Sequence, residues 1–119
     1  MRTTYAHEAN LLLEPGADER EPGAAVTVAL CGSWEHAGPC PSAPHHTAVD
    51  RDAEHLVVRI LFATEPDAEE AVRQKISAAL AVGRLPLPPD ERPGWRLLHH
   101  GAVEVADDER DHAARLAEQ

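Results

Sequence analysis

From Tyr5 to Leu13 the chain alternates, with Tyr5, His7, Ala9, Leu11 and Leu13 on one parity and Glu8 and Asn10 on the other. A period of two predicts a half-buried strand, with Leu12 disturbing its register. Glu14 to Gly23, EPGADEREPG, is dense in turn residues, and the AAVTVAL that follows (Ala24 to Leu30) carries β-branched side chains. Together they predict a hairpin with a long acidic tip and a second strand over 24–30. Leu56 to Ala63, LVVRILFA, is apolar almost throughout, as expected of a central strand covered on both faces except at Arg59.

After Ala63 the period changes. Thr64-Glu-Pro-Asp67 has the composition of a helix start, with a Thr cap, Pro in the first turn and an acid three positions on. The spacing predicts a helix to about Val82, burying Ala68, Val72, Ile76, Ala79 and Leu80, leaving Glu69, Glu70, Arg73 and Gln74 in water, and ending at Gly83. Residues 83–94, with four prolines, predict an extended connector. In WRLLHHGAVEV (Trp95 to Val105), strand parity groups Trp95, Leu97, His99, Val103 and Val105 under the helix and Arg96, His100 and Glu104 on the other side, with Gly101 a candidate bulge. A short acidic helix is expected after Ala106.

These elements predict a single α+β domain over 1–119. Its small mixed sheet has three to four strands, the chain order is β-β-β-α-β-α, and one main helix packs on one face. Residues 32–55 show no periodicity and are expected to form a long Pro/Gly-rich loop, a feature compact domains seldom carry without function.

Charge narrows the partners. Eleven basic and twenty-one acidic side chains give −10, and protonating all eight histidines would leave −2. Nucleic acid and anionic membrane surfaces are disfavoured, whereas a cation or a basic protein surface suits this field. The N-terminal stretch has only a three-leucine apolar run, so cytoplasmic residence is expected. An apolar edge strand would make a homodimer possible.

The chemistry concentrates between Cys31 and His46, CGSWEHAGPCPSAPHH, which holds both cysteines and three of the eight histidines. Thiolate and imidazole bind zinc and its neighbours, and a Pro/Gly-rich segment can turn them inward. The candidate ligands are Cys31, His36, Cys40, His45 and His46, a tetrahedral set taking one of the last two, with His100 and Trp34 as a further ligand or support. Zinc is the first expectation, copper or nickel the next. Eight residues separate the cysteines, unlike zinc-finger knuckles. A Cys31 to Cys40 disulfide, worth about 2.7 kcal/mol in the chain-entropy account, and simple packing thiols remain alternatives.

Catalytic motifs are wanting: His7-Glu8 does not begin an H-E-x-x-H, and Pro39-Cys40 lacks the second cysteine of P-C-x-x-C. The sequence therefore points to a metal-binding protein acting as a structural-metal module, metal carrier or accessory subunit, with enzymatic activity disfavoured rather than excluded. The alternative is an acidic protein-interaction module that needs no metal.

Overall fold

Leu11, Leu56, Ile60, Phe62, Ile76 and Leu80 are fully buried in one core cluster, where helices meet one face of a sheet. The structure, a computed structural model, describes residues 2–31, 43–88 and 91–118. The elements are β1 (Thr3–Leu13), α1 (Glu21–Cys31), β2 (His45–Asp52), β3 (His55–Thr64), α2 (Glu69–Val82), β4 (Trp95–Val103) and α3 (Arg110–Ala117), with single 3-10 turns before α2 and α3. The sheet order is β2-β3-β1-β4 and every neighbouring pair is antiparallel. The α+β class and the small sheet are as expected, but the sheet is wholly antiparallel rather than mixed. The connectivity is two split β-α-β units, each crossover skipping the strand between. The helices α1 and α2 pack together on one face, and α3 closes part of the other.

The expected second strand, 24–30, is a helix. Asp18 turns the chain by accepting from the Arg20 backbone N–H at 2.9 Å, Glu21 opens α1, and Pro22 sits in its first turn where a missing N–H costs nothing. Residues 22–26 and Leu30 are buried. Helix propensity separates Val or Thr from Ala by only about 0.7 kcal/mol or less per residue, while burying a Val or Leu side chain contributes roughly 1.5–3 kcal/mol, so tertiary burial decides the conformation. The helix passes so close to β2 that a Cβ on Gly23 would lie 2.8 Å from Thr47 Oγ1. Only glycine fits that crossing without displacement.

The long loop is shorter than expected, because its second half is β2, hairpinned to β3 through Ala53 and Glu54 with Ala53 at φ 54°. Residues 48–52 are exposed, so this edge strand has no apolar period to announce it.

The first strand keeps its expected parity. Tyr5, Ala9, Leu11 and Leu13 belong with the α1 and α2 core, as do Leu56, Val58, Ile60 and Phe62 of β3. The opposite faces contribute Ala6, Leu61 and Ala63, which Leu116 of α3 covers. Arg59, also on that face, donates to Glu109 at 2.8 Å, to Glu8 at 3.1 Å and to the Glu104 carbonyl, tying the start of α3 to the sheet.

Helix α2 ends where expected, with Gly83 left-handed at φ 86°. Its start differs: Thr64 is the buried end of β3, Glu65 occupies the cap position of the 3-10 turn with no side-chain cap bond, and α2 proper begins at Glu69. Arg73, expected in water, is only 9% exposed. Among the described residues no helix is long and apolar enough to cross a membrane.

Candidate functional site

Helix α1 delivers Cys31 at its last residue, and β2 delivers His45 at its first. The helix and the strand meet at Thr27, one helical turn before Cys31, where Thr27 Oγ1 lies 2.9 Å from His45 Nε2. The other ring nitrogen, Nδ1, lies 3.1 Å from the Ala43 carbonyl. A carbonyl can only accept, so neutral His45 carries its proton on Nδ1 and turns the Nε2 lone pair toward α1, where the Thr27 hydroxyl donates to it. Ala43 is buried in the same core against which Cys31 packs, which fixes the approach of β2 to the end of α1. Cys31 is disulfide-bonded in this structure. Three of the candidates read from the sequence, Trp34, His36 and Cys40, lie outside the described residues.

His45 and His46 are not brought together. Successive side chains of a strand point to opposite faces, and while His45 meets α1, His46 stacks on His112 of α3 with ring centroids 4.3 Å apart and planes at 44°. Burial and the neighbouring His112 lower the His46 pKa from its ordinary value, with Glu109 opposing. One ion at the end of α1 can therefore take His45 and not His46.

His100 belongs to a different constellation. Opposite Asn10 and Leu11 the β1/β4 register slips, pairing Asn10 with His99 but Leu11 with Leu97, so Leu98 is extra. The bulge reverses the parity expected for the rest of β4. His100 comes to the face of Ala9 and His7, though like His99 it remains exposed, and His99 lies 3.4 Å from Asn10 Nδ2. The irregularity sits at Leu98, three residues before the expected Gly101.

On that face His7, 3% exposed, bridges a buried arginine to His100. Arg73 Nη1 donates to the Ala6 carbonyl at 2.8 Å and to His7 Nδ1 at 3.0 Å, and Arg73 Nε donates to Glu69 at 2.8 Å. The guanidinium also lies 5.2 Å from the Phe62 ring centre and 5.7 Å from that of Tyr5. Burial first, then Arg73, then His100 depress the His7 pKa from 6.5 to about 4, so the ring is neutral at pH 7. Since Nδ1 must accept, the proton of neutral His7 is on Nε2, which donates to His100 Nδ1 at 3.0 Å. Neutral His100 then carries its own proton on Nε2. Its remaining nitrogen offers a donor, not the lone pair a metal needs, so this order of hydrogen bonds opposes a ligand role for His100.

Sequence reasoning missed Thr27 and Arg73, the residues that orient His45 and His7. Thr27 could have been found from Asp18, Glu21 and Pro22, which together mark a helix start and put Thr27 one turn before Cys31. Nothing local distinguishes Arg73 from Glu70 or Gln74; only the tertiary meeting of α2 with β1 buries it. Among the described residues no group of three or more His, Cys, Asp or Glu side chains is arranged to hold a metal ion. The chain matches no protein-family model, no curated protein and no solved structure.

Proposed function

We propose that this protein binds a transition-metal ion, zinc before copper or nickel, at the junction of α1 and β2, as a structural-metal module, carrier or accessory subunit rather than an enzyme. Of the described residues the site takes Cys31 and His45. The sequence supplies His36 and Cys40 between them, completing a Cys2His2 set suited to tetrahedral zinc. The observation that carries the proposal is the ring of His45. Its Nδ1–H is held by a backbone carbonyl and its Nε2 lone pair is turned to Thr27 of α1, one helical turn before Cys31, and a carbonyl on the far nitrogen is the outer-shell arrangement that orients metal-binding imidazoles. Metal at Nε2 would displace the Thr27 hydroxyl, which has a second acceptor ready in the Gly23 carbonyl at 3.2 Å.

The test is a zinc titration of the reduced full chain against a chromophoric chelator. Near-stoichiometric binding that weakens in His45→Ala and persists in His46→Ala supports the reading. Equal binding in all three chains, or none in the wild type, removes it.

A second reading, an acidic module that docks a basic protein surface, is favoured by β2. This edge strand is exposed along residues 48–52, carries Asp50 and Asp52, and among the described residues pairs with β3 alone. A metal-free chain that is fully folded, with Asp50→Lys abolishing salt-sensitive capture of a basic partner, supports this alternative.

A further inference from the structure

We propose that the edge of β2 takes an added strand, an extended peptide of alternating basic and aliphatic residues that pairs with β2 beside α1. The inference rests on the second reading of the function, the docking of a basic partner, and names the form that partner takes.

Backbone, shape and charge meet at this edge. Strand β2 ends the sheet order β2-β3-β1-β4, so among the described residues its outer side has no neighbouring strand. An edge left this way presents a row of N–H and C=O groups that another chain can pair with. Between α1 and β2 lies a groove of about 270 Å³, lined by Gly23, Ala24 and Thr27 of the helix, Thr47 and Val49 of the strand, and Arg20. The close crossing of Gly23 on Thr47 sets the helix as its wall. Val49 pairs with Val58, on the helix side of the sheet, yet is 36% exposed. A strand laid along β2 turns every second side chain toward this groove while its main chain makes the sheet bonds.

The other side of β2 supplies the charge. Asp50 and Asp52 lie opposite Val57 and His55, on the face shared with Leu61, and neither has an ion pair among the described residues. The basic groups of the same edge are answered within the chain, Arg20 by Asp18 at 2.9 Å and Arg51 by Glu19 at 3.7 Å. The uncompensated charge of the edge is therefore negative and sits on the parity opposite to the groove. An added strand meets both demands with Lys or Arg across from Asp50 and Asp52 and an aliphatic residue, next along its chain, across from Val49. A second copy of this protein, itself at −10, is the poorer occupant.

The experiment titrates the full chain into labelled nine-residue peptides at low salt, reading affinity by anisotropy and β2 by amide hydrogen exchange. The probes alternate Lys with Val, Glu with Val, and Lys with Ser. The Lys/Val peptide is expected to bind and to slow exchange at amides within residues 46–52, and the Glu/Val peptide not to bind. The Lys/Ser peptide should bind roughly tenfold or more weakly, since it leaves the groove unfilled. Asp50→Asn with Asp52→Asn, both at exposed positions, should weaken the Lys/Val peptide roughly two- to thirtyfold. Equal binding of the two Lys peptides with β2 exchange unchanged would overturn strand addition while leaving a basic partner. Binding of neither would overturn it together with the docking reading. A concentration-dependent dimer that excludes the peptide would assign the edge to a second copy and overturn it as well.

Discussion

Arg73 donates to His7 Nδ1 across 3.0 Å in the buried space between α2 and β1, and that single bond sets where the protons of two histidines reside. With Arg73 on one side, His7 can donate only to His100, and it can gain a proton only by confronting a guanidinium. The same contact separates His100 from the metal chemistry assigned to the α1 and β2 junction.

The pH dependence of stability follows from this pair. The folded-state pKa of His7 is about 4 against an ordinary 6.5, so the unfolded chain binds more protons between those values and stability rises with pH across the interval. The contribution is fully present above about pH 6.5 and is lost as pH falls toward about 4, amounting to at most about 3 kcal/mol. Urea denaturation of wild type and His7→Gln across this range checks it. The carboxamide can still accept from Arg73 and donate to His100 but does not titrate, so wild type should lose stability relative to the variant as pH falls. Parallel curves would contradict the assignment.

Arg73→Met should cost roughly 2–4 kcal/mol, because it strips His7 Nδ1 and the Ala6 carbonyl of a buried donor and leaves Glu69 without its partner. The His7 pKa should rise and its ring should no longer be held to one tautomer. Imidazole nitrogen shifts report both effects. Arg73→Lys should rescue little, since an ammonium cannot reproduce the planar fork.

The strands of the fold were readable where their surroundings are simple. The parity of β1 and the unbroken apolar run of β3 follow directly from lying under helices on one face or being covered on both, and Gly83 ends α2 as its composition implies. What escaped was set by tertiary contact. Val26, Thr27 and Val28 favour extended chain locally but sit in a helix because α1 is buried among the sheet and α2, and residues 48–52 lack a period because that stretch of β2 is exposed on both sides. At the candidate site the residue types could be listed, but not their sides. The division of His45 from His46 depends on β2 being a strand at all, and the exchange of His99 for His100 depends on one extra residue at Leu98, which parity counting cannot foresee.

Gly23→Ala should destabilise the protein by roughly 1–3 kcal/mol, the typical cost of forcing an added methyl into a packed contact, because the new Cβ meets Thr47 Oγ1 at 2.8 Å. Thr47→Ala removes that oxygen and should recover part of the loss. A double-mutant cycle in urea measures the coupling, and strictly additive effects would mean that α1 does not cross β2 at this point.

The central claim is that the metal enters at His45, and nitrogen-15 spectra of the histidine rings in the reduced full chain, recorded before and after one equivalent of zinc, test it most directly. The account predicts a metal-bound shift at His45 Nε2 with Nδ1 still protonated, while the rings of His7, His46 and His100 keep their tautomers. A zinc-induced shift at His46 or His100 with His45 unchanged would contradict it.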